Sequence, residues 1–427
     1  MGLVAILFII LLFLNIPLAF TIGIASLAFF AQTEGTTWII PVQKLVSATQ
    51  NYPLLAVPFF ILAGNLMNET GITKRLVTFS NILTGHLAGG LALVSCVLST
   101  FMGGISGSAC ADAAMETRIL GPAMLDRGYT KGYACAVNAL TSLITATIPP
   151  GIGLILYGVT GGVSIGKLFL AGVIPGIIMC AVLMITSYTI AKKRNYPVEN
   201  PRPPKAHEIW ASFTDSIWAL MFPVILIVGI RFGIFTPSEA GAFAVVYAFI
   251  IGKFVYKEMT LKGFWIVCKN TLNDNGVILF IIMCSAILGY GIIYDKVPQT
   301  MALFISSISN NKYIIMIIIC FFIFICGMFM EGTVNTLLLT PIFLPIVTKM
   351  GVDPVHFGII FMTTVTLGGM TPPVGTAMYG ACAILKCPID EYTKESLPFF
   401  AAIMLEICLL IFCPQLFMWL PNLVFGA

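Results

Sequence analysis

Two short runs in this sequence set hydroxyl side chains beside consecutive prolines: Thr147-Ile148-Pro149-Pro150-Gly151-Ile152-Gly153 and Met370-Thr371-Pro372-Pro373-Val374-Gly375-Thr376. Both lie inside long apolar stretches. A Pro-Pro pair deletes two backbone donors and clashes with the preceding turn, so a helix crossing either run must open there. Opened backbone at that depth is tolerated only where its carbonyls are buried in protein or line a polar cavity. Carbonyl and hydroxyl oxygens are ligands for a hard cation such as sodium, and the half-helix that restarts after a break turns its N-terminus toward carboxylates. Cation coordination and anion binding are the chemistry on offer.

Each run follows an apolar stretch with a polar middle. In 86–125 the interruption is Gly103-Gly104-Ile105-Ser106-Gly107-Ser108, and in 313–349 it is Glu331-Gly332-Thr333-Val334-Asn335. Each stretch holds two short helices and reads as a re-entrant hairpin, entering and leaving on one side. Sliding the chain on itself by 223 positions superimposes Gly104 on Gly327, Asp112 on Asn335, Pro122 on Pro345, Pro149-Pro150 on Pro372-Pro373 and Pro175 on Pro398. Such a register is an internal repeat. It predicts about two sodium sites, one per copy. The first would use Ser106, Ser108, Gly151 and the carbonyls of Ile148 and Pro149; the second, Thr333, Asn335, Thr371 and the carbonyl of Pro372. A solute is expected against Ser108, Asp112, Arg118, Gly153, Gly375 and Thr376.

Ionisable residues at membrane depth are costly and are functional candidates by default. Asp112, Glu116 and Arg118 follow the first hairpin tip and Glu331 opens the second. Asp112 is placed on the solute path, whereas Glu116 and Arg118 also suit simple pairing with other groups. Glu406 reads as a packing or interface residue, and Glu239, after Thr236-Pro237-Ser238, as part of a helix start. The twelve cysteines show no CxxC and mostly sit in apolar runs, and the three histidines are far apart, so neither group predicts a metal centre.

The elements that must position these residues are membrane helices. Apolar residues make up 59% of the 427 and charged ones 9%, a balance that leaves a soluble surface without its charge. A net charge of +4, scattered along the chain, offers no nucleic-acid surface. Spans are expected near 51–67, 132–160, 167–191, 209–231, 238–253, 264–293, 356–385 and 397–424. Residues 1–31 lack the features of a cleaved signal. As one helix they would reach about 45 Å against a hydrocarbon core of about 30 Å, so they tilt or break at Asn15-Ile16-Pro17. The basic connection from Lys192 to Lys205 sets the cytoplasmic side. Fifteen basic residues then fall inside and six outside (Lys44, Lys167, Arg231, Lys296, Lys312 and Lys349), with Arg118 in the hairpin. Five crossings separate equivalent points of the two copies, and an odd number makes them inverted. Stretches 72–85 and 297–310, just before the hairpins, read as interfacial helices. The fold class is all-α and polytopic: an inverted repeat with two re-entrant hairpins and two broken transmembrane helices, the architecture of secondary transporters.

These residues resemble the large membrane subunit of the tripartite ATP-independent periplasmic (TRAP) transporters. The resemblance spans nearly the whole chain: Pro53 to Phe60, Gly103 to Ser108 with Asp112, Ile148 to Gly151, Phe235-Thr236-Pro237-Ser238-Glu239-Ala240-Gly241, and Gly369 to Gly375. It implies a sodium-driven elevator carrier, without an organic cofactor, in the bacterial inner membrane. The implied transport domain is 86–191 with 313–427, and the implied scaffold is 1–85 with 192–312. The implied partners are a small four-helix membrane subunit, expected as a separate chain because the sequence opens on its first apolar helix, and a periplasmic binding protein delivering an organic acid. The chain is similar to the sialic-acid branch, with C4-dicarboxylate as the other solute class. A stand-alone sodium–carboxylate symporter, a membrane-embedded enzyme and a channel are the rival readings; the enzyme lacks a nucleophile–base pair.

Overall fold

The computed structural model describes all residues except Asn15, Glu34, Pro201, Asn310 and Ala427, together with the side chain of Ser306. Among the described residues there is no strand, and seven helices are long and apolar enough to cross a bilayer.

The first apolar stretch breaks rather than tilts. Helix α1 (Gly2–Phe13) ends before the expected break and α2 (Leu18–Gln32) restarts after Pro17, while Asn15 lies outside the described residues. Proline lacks the amide a continuing helix needs and pushes the preceding residue out of the helical region. Phe20 packs on Phe280 at 5.3 Å and Phe29 on Tyr294 at 5.8 Å, while the Met1 amine pairs with Asp295 at 2.7 Å. Met1 therefore sits beside the end of α2, and the two helices are antiparallel. At about 18 and 22 Å each is shorter than a bilayer core of about 30 Å. α1 and α2 thus form an antiparallel pair of short apolar helices.

Helix α3 (Ile39–Thr49) meets α4 through a turn at Tyr52–Leu55 with a 56° bend, so the span expected at 51–67 starts with that turn and continues as α4 (Ala56–Glu69). The arm expected at 72–85 is α5 (Ile72–Thr84), entered through left-handed Gly71 and held by Arg75, which pairs with Glu258 at 2.8 Å and lies over the Tyr256 ring. The first hairpin is α6 (Gly90–Gly103) and α7 (Ala109–Asp126). The first broken span is α8 (Lys131–Thr147) and α9 (Ile152–Gly161), bent by 44°, and α10 (Ile165–Lys193) returns across.

Between the copies run α11 (Ala206–Arg231), α12 (Pro237–Ile250) and α13 (Leu261–Tyr294). Helix α12 starts where Thr236-Pro237-Ser238-Glu239 says it should: Glu239 accepts the Thr236 amide and hydroxyl at 2.8 Å each, a capping box with proline in the first turn. The second arm, expected at 297–310, is α14 (Val297–Ile308), entered through left-handed Lys296; Asn310 lies outside the described residues. Then follow the second hairpin, α15 (Lys312–Phe329) with α16 (Gly332–Lys349), and the second broken span, α17 (Pro354–Gly368) with α18 (Thr376–Leu385). The last span, expected as one helix over 397–424, is instead α19 (Ile389–Phe412), interrupted at Cys413-Pro414, and α20 (Pro414–Phe425). Proline again accounts for the stop.

The copies are inverted. The open end of the first hairpin lies with the basic loop: Arg127 pairs with Glu199 at 3.0 Å, Tyr129 stacks on Tyr196 at 4.2 Å, and Arg194 pairs with Glu395 at 2.8 Å. The open end of the second lies at the other end of the broken spans, with Tyr313 against Phe412 at 5.4 Å and the Tyr157 hydroxyl donating to the Pro354 carbonyl at 2.8 Å. The tips point toward each other.

Candidate functional site

Four half-helices aim their N-termini at one place. α7 starts after Ser108, α9 after Gly151, α16 after Glu331 and α18 after Gly375. Between these starts lies a cavity of about 620 Å³, walled by both hairpin tips, both breaks, and residues of α2, α4 and α13. Aligned peptide dipoles make each start attractive to an anion, and at α16 the Glu331 carboxylate already takes that place. Among the described residues no Lys or Arg lines the cavity; its charged residues are Asp274 and Glu331.

In the first copy the hairpin tip is pressed onto the break. Gly107 adopts φ +60°, a conformation open to glycine, and a Cβ on it would run into the Pro150 carbonyl oxygen. Its own carbonyl accepts the Ile152 amide at 3.3 Å. Ser106 donates to Asp112 Oδ1 at 2.7 Å, and Asp112 Oδ2, fully buried, has no partner among the described residues. One turn further on, buried Glu116 accepts the hydroxyls of Ser95 and Ser99 at 2.7 Å each and of Thr141 at 3.2 Å.

The second copy repeats the plan. The amide of Gly375, which the 223-residue register aligns with Ile152, donates to the Met328 carbonyl of its own hairpin at 3.0 Å. Gly327 and Gly368 bring α15 and α17 together backbone to backbone. Asn335, aligned with Asp112, spends its amide nitrogen on the carbonyls of Met330 at 2.9 Å and Cys326 at 3.3 Å, and its Oδ1 is buried with no partner among the described residues. Among the described residues no donor reaches the carbonyls of Ile148, Pro149 and Pro150, or of Pro372 and Pro373.

Of the residues singled out from sequence, Ser106, Ser108, Gly153, Thr333 and Thr376 line the cavity, and Ile148, Pro149, Gly151, Thr371 and Pro372 form the breaks beside it. Asp112 is not on the cavity wall; its carboxylate is turned inward to Ser106. Gly375 likewise contributes its amide to the hairpin rather than a surface. Arg118 stands apart, exposed on the outer face of α7. Nine residues beyond the start of α7 it is about 14 Å from the tip, a depth from which a long cation reaches the headgroups. Thr333 is committed locally, its amide and hydroxyl both donating to Glu331 at 2.9 Å. Glu406 is buried with both carboxylate oxygens unpartnered among the described residues, inside the bundle rather than at an interface. Missed by the sequence reading were Asn65 and Asp274, which face the tips from α4 and α13 and join at 3.2 Å. The test applied to Asp112, an acid inside an apolar span, would have found Asp274 too.

The family model described as "Tripartite ATP-independent periplasmic transporter, DctM component" matches residues 5–416. The chain belongs to the DctM family. This DctM-family permease is 36% identical to the sialic acid TRAP transporter large permease protein SiaM of Vibrio cholerae over 97% of both chains. It is 34% identical to the 2,3-diketo-L-gulonate TRAP transporter large permease protein YiaN of Escherichia coli over 94% of both, and 32% identical to the C4-dicarboxylate TRAP transporter large permease protein DctM of Rhodobacter capsulatus over 96% of both. Its fold is shared with the YdaH transporter of Alcanivorax borkumensis, at TM-score 0.64 and 12% identity over 96% of this chain and 97% of that one. It is a multi-pass protein of the bacterial inner membrane.

Proposed function

We propose that this DctM-family permease imports a carboxylate solute coupled to sodium, by an elevator movement of its hairpins and broken helices. The observation that carries this reading is the meeting of four half-helix N-termini in a cavity with no basic side chain on its wall. A carboxylate there gains hydrogen bonds and dipole attraction but no fixed counter-charge. Its balancing cations must travel with it.

The residues fit sodium as that companion. Among the described residues Asp112 Oδ2 and Asn335 Oδ1 are buried and unpartnered, they are aligned by the repeat, and each copy also carries a Pro-Pro break with unclaimed carbonyls. A buried oxygen without a donor is unfavourable unless a cation or water completes it. One sodium would be held by Asp112, Ser106 and the carbonyls around Ile148 and Pro149, the other by Asn335 and the Thr371–Pro372 backbone. Asp112 would thus serve the ion and not the solute. The solute would lie between Ser108, Gly153 and Thr376.

The moving unit would be 86–191 with 313–427, against a scaffold of 1–85 with 192–312. The facing surfaces support sliding: a Cβ on Gly64 of α4 would stand 3.4 Å from the backbone of Ile105 and Ser106, and Gly104 faces the Pro223 ring of α11. Smooth glycine contacts present little to interlock. Gly64→Leu is expected to lower uptake at least about tenfold and sodium-dependent solute binding far less, because it adds bulk to the seam behind Ser106 while meeting neither the Asp112 carboxylate nor the proline breaks. Loss of binding together with uptake would argue that Gly64 shapes the site itself.

The TRAP large-permease family works with a periplasmic binding protein and a small membrane subunit. The solute would belong to the organic acids named for the relatives, of the sialic-acid or C4-dicarboxylate type. Reconstitution tests the whole reading: sodium-driven uptake should require the small subunit and the binding protein. Full uptake by the purified chain alone would make it a stand-alone symporter, and flux at channel rates would overturn carrier transport.

A further inference from the structure

Three cysteines far apart in sequence meet in the fold. Cys135 comes from α8, Cys382 from α18, and Cys387 from the turn before α19; all three are buried, and their sulfur atoms lie within 4.8 Å of one another. The backbone is bent to bring the third one in. Lys386 adopts φ +50°, which a non-glycine residue rarely does, and the Cys387 amide returns to the Cys382 carbonyl at 2.9 Å. The cluster lies at the cytoplasmic end, where the Glu391 backbone presses on Gly132 and Arg194 pairs with Glu395. In that reducing compartment thiols stay unpaired. None of the three lines the central cavity.

We propose that Cys135, Cys382 and Cys387 bind one thiophilic divalent cation of the zinc class. Three thiolates at about 2.3 Å from a metal place their sulfurs within about 4 Å of one another, a small contraction from the separation seen, and a water completes the tetrahedron. Binding releases three protons and leaves one net negative charge, next to Lys386. Because α8 belongs to the first copy and α18 to the second, the ion would tie the inverted halves together at their cytoplasmic end, away from the solute.

Cadmium is the probe, since its thiolate complexes absorb in the near ultraviolet. Reduced, purified chain should retain one Cd²⁺ with that absorption band after desalting. Cys387→Ser and Cys135→Ala should each weaken retention by at least about 100-fold, while Cys413→Ser, at an exposed thiol elsewhere, should not change it. Sodium-dependent solute binding, which uses none of these residues, serves as the check that each variant is folded. Equal retention by wild type and by the variant lacking all three thiols would overturn the proposal. So would an intact mass showing a Cys382–Cys387 disulfide in place of metal.

Discussion

Asp112→Asn is expected to raise the sodium concentration for half-maximal uptake about 100-fold or more, equivalent to about 3 kcal/mol. Removing one partner of a buried charge pair costs that much because the desolvation of the other is no longer offset. The substitution keeps the side chain's shape and its contact with Ser106, whose hydroxyl now donates to Asp112 Oδ1, so the loss isolates charge. It also turns the first site into a copy of the second, where asparagine already stands. The reciprocal change Asn335→Asp should therefore shift half-maximal sodium downward. Sodium titration of uptake in proteoliposomes measures both, with Ser106→Ala as the milder partner. An unchanged sodium response in Asp112→Asn would remove the carboxylate from the ion site.

The second large effect is expected at the hairpin tip. Gly107→Val should reduce sodium-driven uptake to background while the protein still inserts and purifies. Valine at φ +60° costs about 1–2 kcal/mol, and its Cβ meets the Pro150 carbonyl, backbone that cannot rotate aside. The strain is relieved only by lifting the tip off the break, which parts Ser106 from the carbonyls beside Pro149. Gly332→Ala at the other tip is the control: its added Cβ finds nothing closer than Val365 at 4.0 Å, and uptake should survive. If Gly107→Val transports normally, close apposition of tip and break is dispensable.

The broken helices were legible because proline announces its own effect: it has no amide to donate, in any context. The repeat was legible for the same reason, since spaced prolines and Asp112 with Asn335 keep register. Residues 2–32 were harder. An apolar run that turns back differs from one that crosses only at Pro17, and hydropathy has no term for direction. The stop at Cys413-Pro414 was hidden by apolar neighbours on both sides. Hairpin two carries helices of 18 residues that would pass for spans by length, and only its polar tip gave it away. For the site, residue types were readable but directions were not. Asp112 and Arg118 share α7, yet one is turned to the interior and the other to the outside, a matter of rotation about a helix whose neighbours the sequence did not specify.

Asp112 and Asn335 occupy equivalent places with unequal charge, and this has an electrical consequence. With a sodium at each, the first site is neutral and the second carries one positive charge, which a monocarboxylate cancels. The loaded sites would then cross with no net charge, whereas the empty sites would return with the one negative charge of Asp112. An inside-negative potential does its work on that return, at about 2.3 kcal/mol per charge per about 100 mV. The voltage would drive the resetting of the carrier rather than the passage of its cargo; with a dicarboxylate both strokes would carry one negative charge, so the potential would oppose the loaded stroke as much as it favours the return, and cancel over the cycle.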